Sequence, residues 1–214
     1  GPRSPLPAWR DPIWREAFAN PVLASLRAQI EAQAALRPEV EASVDMIEGF
    51  APESLGRRLD ALPEGTRGLG LVALDHPRVR EAIRGLAGRG VKVATIASDI
   101  QGVPRVAYVG TDNRQAGRLA GFVVGRLLPR GAGAEVAFLE GSRAYRGHEE
   151  REMGFRAVLA EDFPGLRVVA VREVMDDRDR AHAETLSILD AHPGLAAIYN
   201  AGAGNGGVAR ALRE

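Results

Sequence analysis

Glu135-Val136-Ala137-Phe138-Leu139-Glu140-Gly141-Ser142-Arg143-Ala144-Tyr145-Arg146-Gly147-His148-Glu149-Glu150-Arg151-Glu152-Met153-Gly154-Phe155-Arg156 decides the fold. The run 135–139 predicts a buried strand, and the helical pattern that follows continues to Ala160. A polar loop therefore sits at a strand's carboxyl end. In open α/β sheets that edge binds ligands, because loops converge there and the next helix presents free backbone N–H groups. Arg151 shares a helix face with Gly154, Phe155 and Val158, so a guanidinium points where neighbouring turns are apolar. At a helix's first turn that face opens onto the crevice. The competing reading is an arginine that snorkels to water or pairs with Glu150 or Asp162.

Outward from this stretch, strand and helix alternate. Towards the amino terminus, Val106 to Val109 and Val91 to Ala97 are expected strands. Gly68 to Leu74 is an almost unbroken apolar run, as in a parallel strand covered on both faces. Between them, His76-Pro77 opens a helix with Val79, Ala82, Ile83, Leu86 and Ala87 as its apolar stripe, stopped by Gly88 and Gly90. Asp112 is a cap for a helix whose expected inner face is Ala116, Leu119, Ala120, Val123 and Leu127. Further upstream, Pro52 to Leu62 predicts a helix and Val40 to Ile47 a half-buried strand. Asn20-Pro21 starts a helix with Leu23, Leu26, Ile30 and Ala34 on one face. Residues 1–19 form an irregular segment, with a short helix from Asp11-Pro12 to Phe18. Towards the carboxyl terminus, Leu166–Val171 is a strand, Arg178–Ala191 a helix, Leu195–Asn200 a strand and Val208–Glu214 a helix. The alternation predicts parallel sheets with right-handed crossovers. The break at 129–134 divides two lobes, 20–130 and 131–214, the second truncated.

The 214 residues are 45% hydrophobic and 26% charged, an ordinary globular composition able to bury a sizeable core. Basic and acidic residues balance at 28 each, which argues against a chain-wide nucleic-acid or anionic-membrane footprint. No apolar run approaches a membrane span, and the first twenty residues lack a signal-peptide layout. The absence of cysteine removes disulfides, thiolate nucleophiles and cysteine metal sites. His76, His148, His182 and His192 show no paired metal-ligand spacing, so no metal is expected. There is no G-x-S-x-G elbow, and no general acid and base converge, so no enzyme is expected. Gly202 to Gly207 matches G-x-G-x-x-G, but a dinucleotide site needs an acidic residue about 20 positions on, beyond Glu214. No cofactor follows from it.

Asp75 and His76, Ser98 and Asp99, Tyr145 and Arg146 with His148 and Arg151, and Asn200 fall at or just after strand carboxyl ends. Carboxylates, amides, hydroxyls and guanidinium groups together suit a polyhydroxylated small molecule, which needs donors and acceptors around its rim. The competing reading of the acidic residues is helix capping.

Tyr108-Val109-Gly110-Thr111-Asp112-Asn113-Arg114-Gln115-Ala116-Gly117 resembles the "V-G-x-D-N-x-x-A-G" segment of sugar-responsive repressors of the lac and purine repressor type, and of periplasmic sugar-binding proteins. Arg151-Glu152-Met153-Gly154-Phe155 resembles their "R-x-x-G-F" helix, and His192-Pro193 through Tyr199 their "H-P-D-I-x-A-I-F" strand. The resemblance implies a type I periplasmic-binding fold, two Rossmann-like lobes with a sugar between them, incomplete here at both ends. It places the family's ligand-gripping arginine on Arg151 and its strand-end aspartate near Ser98-Asp99, while its strand-end "N-D" is matched only by Asn200. It implies a carbohydrate- or polyol-sensing domain of a cytoplasmic transcription regulator. That regulator would be a homodimer reaching DNA only through a helix-turn-helix domain that this sequence lacks, without membrane contact. The alternative it implies is a periplasmic transport receptor.

Overall fold

The computed structural model describes residues 21–37, 41–45, 47, 50–128 and 133–214. The expected helix from Asp11 to Phe18 lies outside them. By internal contacts the chain separates into residues 1–48 and 49–214. In the first unit, helix α1 (Pro21–Ala35) half-buries Leu26, Ile30 and Ala34, as its periodicity predicts, and an Arg27–Glu31 ion pair of 2.8 Å spans one turn. The strand expected at Val40–Ile47 does not form in the described residues 41–45 and 47. Alternation supplies a face, but a strand also needs a neighbour's backbone groups, and no ladder pairs with these residues.

The second unit opens with α2 (Pro52–Asp60), which buries Leu55 and Leu59. A three-stranded parallel sheet follows in the order β1 (Gly68–Leu71), β2 (Lys92–Ile96), β3 (Ala107–Val109). β1 is shorter than the apolar run suggested, yet Ala73 and Leu74 beyond it are still buried. Between β1 and β2 lies α3 (Pro77–Gly88), whose Val79, Ala82, Ile83 and Leu86 are buried as expected.

α4 (Asn113–Leu127) corrects the predicted inner face. Leu119, Val123 and Leu127 are exposed, while Asn113, Gly117, Gly121 and Gly125 are buried. The reason is closeness of approach. α4 packs on α5 (Arg146–Asp162) with almost no room between backbones: a Cβ on Gly117 would lie 2.0 Å from Arg151 O, and one on Gly154 would lie 2.0 Å from Arg114 O. A bare backbone fits where a leucine cannot.

The second sheet runs β5 (Leu166–Glu173), β4 (Ala134–Glu140), β6 (Leu195–Asn200), all parallel. The chain leaves β4 through α5 to reach β5, then crosses β4 through α6 (Arg178–Ala191) to reach β6. Right-handed crossovers in opposite directions put α5 and α6 on opposite faces. Two cores result. Val136 and Phe138 pack with Phe155 and Leu159 on one side, whereas Ala137 and Leu139 pack with Ala181, Ile188 and Val208 on the other. β4 is thus covered on both faces, and the order reverses across it, which opens a crevice at the carboxyl ends of β4 and β6. The last helix, α7 (Asn205–Ala211), starts three residues earlier than expected because Gly204, at φ 88°, turns the chain into it. Among the described residues no helix is long and apolar enough to cross a membrane.

Candidate binding crevice

The β4–α5 loop forms the centre of the crevice. Gly141 and Gly202 meet there at backbone distance, since a Cβ on Gly202 would lie 2.5 Å from Gly141 N. Asp176, buried at 6% exposure, closes the floor by accepting from Ala203 N at 2.7 Å. Met175 and Asp176 hold φ of 54° and 56°, and Ala97, at the end of β2, holds 60°. Among the described residues, all three with positive φ other than glycine therefore fall at strand ends bordering the crevice, where backbone strain tends to accumulate.

Arg151 sits at the join of three elements. Its Nε donates to Asn113 Oδ1 at 2.8 Å and its Nη1 to Ala201 O at 3.3 Å. Of the two carboxylates expected as alternative partners, Glu150 and Asp162, the first takes Arg146 Nε at 2.8 Å. Asn113 in turn donates to the Tyr108 hydroxyl at 3.2 Å, which itself donates to Thr111 O at 2.8 Å. Burial pushes the Tyr108 phenol up, partly offset by the Asn113 bond.

Tyr145 precedes α5, its ring edge-on to His148 with centroids 5.7 Å apart and to Phe50 at 5.3 Å. Burial, reinforced by the Asp176 charge, pushes its pKa up to about 12, so it stays a neutral hydroxyl. His148 lies under the loop, its Nδ1 3.2 Å from Ser142 N and 2.9 Å from Ser142 O. Burial lowers its pKa, and nearby Arg151 adds to the effect against the opposing Ser142 bond and the Asp176 charge.

The structure brings Asp75, Ser98, Tyr145, Arg146, His148 and Arg151 to this crevice. Asp75 pairs with Arg80 on one oxygen and faces Arg146 Nη1 at 3.7 Å with the other. Ser98 Oγ accepts a long bond from Gly147 N at 3.4 Å. The remaining three make their hydrogen bonds within their own segments. His76 caps α3, accepting from Arg78 N at 3.2 Å. Asp99 takes Thr95 Oγ1 at 2.6 Å and Arg105 Nη2 at 2.7 Å. Asn200 shapes the β6–α7 turn, donating to Ala203 O and accepting from Gly202 N. The G-x-G-x-x-G glycines serve packing: a Cβ on Gly207 would meet Arg178 O at 1.9 Å.

Sequence reasoning missed Asn113, Tyr108 and Asp176. Both Asn113 and Tyr108 lie inside a quoted motif, where Asn113 follows the Asp112 cap and Tyr108 belongs to the expected strand, while nothing local marks Asp176. No cluster of His, Asp or Glu among the described residues could hold a metal ion.

Two three-stranded parallel sheets with polar groups gathered at their strand ends define a binding-protein architecture. Residues 59–214 match the family described as the periplasmic binding protein domain, and the chain belongs to that family. A comparison with curated proteins gave no match. Among solved structures, the chain is 29% identical to GanP, a glucose-galactose binding protein from Geobacillus stearothermophilus, over 76% of this chain and 56% of that one, with a TM-score of 0.66. It is 26% identical to an ABC-transporter solute-binding protein from Burkholderia graminis, in complex with D-arabinose, over 86% of this chain and 63% of that one, TM-score 0.78. A Caulobacter myo-inositol binding protein, 23% identical over 92% and 67%, shares the fold at a TM-score of 0.82. The chain thus spans 56% of GanP and 63% of the Burkholderia protein.

Proposed function

We propose that residues 49–214 bind a monosaccharide or polyol in the crevice between the two sheets, as the ligand-binding part of a sugar receptor. The observation that carries this reading is the gathering of Asp75, Ser98, Tyr145, Arg146, His148 and Arg151, from three separate segments, around one strand-end crevice. Hydroxyl, imidazole, carboxylate and guanidinium together offer both donors and acceptors, which a polyhydroxylated ring requires. The proteins at 29% and 26% identity are, by their descriptions, sugar-binding or solute-binding proteins, which supports the same class.

Of the two biological settings, a transport receptor is favoured by the Burkholderia relative, an ABC-transporter component. The effector domain of a transcription regulator is the second reading, favoured by the motifs shared with sugar-responsive repressors. It would act as a homodimer in the cytoplasm. Either way the role is binding, with no reaction attached.

The test is a thermal-shift panel of monosaccharides and polyols on the full chain, followed by calorimetry of any hit. A ligand that binds only the native state must raise Tm. A panel in which no neutral sugar or polyol shifts Tm overturns the reading. The two settings separate on the whole gene product: a secretion signal supports transport, and a helix-turn-helix supports regulation.

A further inference from the structure

Asn113, the first residue of α4, is only 4% exposed, and its amide can lie only one way round. Arg151 Nε is a donor and stands 2.8 Å from one end, so that end is Oδ1. The other end stands 3.5 Å from Ala97 O, which only accepts, and 3.2 Å from the Tyr108 hydroxyl. That hydroxyl has two carbonyls within reach of its single proton, Thr111 O at 2.8 Å and Ala97 O at 3.0 Å, so its oxygen takes the Asn113 N–H. Gly147 completes the seat, since a Cβ there would come within 2.9 Å of Asn113 Nδ2. The donors therefore run in one direction, from Arg151 to Asn113 and from Asn113 through Tyr108 to a backbone carbonyl.

We propose that Asn113 is a positioning residue that makes the crevice select uncharged sugars and polyols over the corresponding acids. This rests on the crevice being the binding site and on Arg151 facing the ligand there. A carboxylate is gripped by two N–H groups of an arginine at once, either Nε with one Nη or the two Nη together. A hydroxyl needs only one. Nε carries a single proton and Asn113 holds it, so the side-on grip is closed. Nη1, a prong of the end-on grip, is drawn to Ala201 O at 3.3 Å. The guanidinium thus offers a ligand single N–H groups, which suit a hydroxyl and meet half of what an acid takes. Asn113 acts through the edge that Arg151 presents and touches no ligand itself.

Calorimetry on the full 214-residue chain tests this, with D-galactose against D-galacturonate and D-glucose against D-glucuronate, in wild type and Asn113→Ala. The preference for the neutral member is expected to fall about tenfold in the variant, the worth of one hydrogen bond to a charged group. A second readout is the Arg151 Nε–H signal in a proton–nitrogen NMR spectrum, identified by its loss in Arg151→Lys. Wild type and Asn113→Asp both give Nε an acceptor and should keep the signal, whereas Asn113→Ala should lose it to exchange with water. Equal weakening of neutral sugar and acid in Asn113→Ala overturns the selectivity, and an unchanged Nε signal overturns the positioning. Should Asn113→Ala not fold, Tyr108→Phe loosens the same amide, and an unchanged preference there overturns the proposal as well. If no sugar of either kind binds wild type, the receptor reading falls and the selectivity with it, while the Nε signal still decides whether Asn113 holds Arg151.

Discussion

Arg151 carries two jobs that a single substitution must separate. Arg151→Ala removes donors from Asn113 Oδ1 and Ala201 O, and leaving such acceptors unpaired costs about 1–3 kcal/mol. The same change is expected to abolish sugar binding. Denaturant titration measures the first effect, and calorimetry below the variant's melting range the second; unchanged affinity in a folded variant would remove Arg151 from the site. Glu140 makes an opposite prediction. It ends β4 fully buried, with Oε1 on Arg143 Nε at 2.9 Å and Oε2 without a partner among the described residues. Burial raises its pKa above the ordinary 4.5 against the pull of Arg143, and Glu152 and Glu173 raise it further. A raised carboxyl stabilises the fold below its unfolded pKa, and that contribution is lost as pH rises through the folded value. Glu140→Gln should therefore melt at or above wild type at pH 7, and its advantage should shrink as pH falls towards 4.5. A variant less stable at neutral pH than at acid pH, relative to wild type, would show the charge to be favourable.

At the scale of elements, the glycines of α4 set the geometry. Gly117→Ala or Gly154→Ala puts a methyl on a backbone carbonyl at 2.0 Å, with no flexible side chain to yield, and is expected to destabilise by about 1–3 kcal/mol or more. Gly85→Ala in α3 meets nothing within 4 Å and should stabilise by about 0.5–1 kcal/mol. Urea midpoints of the three variants decide both signs. This contrast also marks how far the sequence could be read. Alternating strands and helices, the α3 stripe, the Asp112 cap and the strand-end loop of β4 are all local patterns, and they appear where expected. The α4 face was misread because hydrophobic periodicity rewards large side chains, and backbone-to-backbone packing needs their absence. In the same way Asp99, His76 and Asn200 look like ligand groups by type and position, and only geometry shows their bonds closing on nearby atoms of the chain. Asp176 had no local signal at all, because its place depends on β5 ending beside β4 and on the turn at Gly202.

For the molecule as a whole, the order β5-β4-β6 places the crevice, and the prediction there is one of mass action. A sugar present at a hundred times its Kd stabilises the native state by about 2.7 kcal/mol, which for a chain of this length raises Tm by roughly 5–10 °C. A sugar that leaves Tm unmoved while calorimetry shows binding would mean that the ligand holds the unfolded chain as well.

The close seat of α4 on α5 bears on how the protein should be cut. In chain order α4 comes before the break at 129–134, so chain order alone suggests a fragment starting at 134 as the second half. Such a fragment would bare the side of α5 around Gly154, Phe155 and Val158, against which Gly117 and Gly121 rest. A fragment starting at Gly110 keeps that pair of helices together and is the one expected to be expressed as a soluble, folded piece.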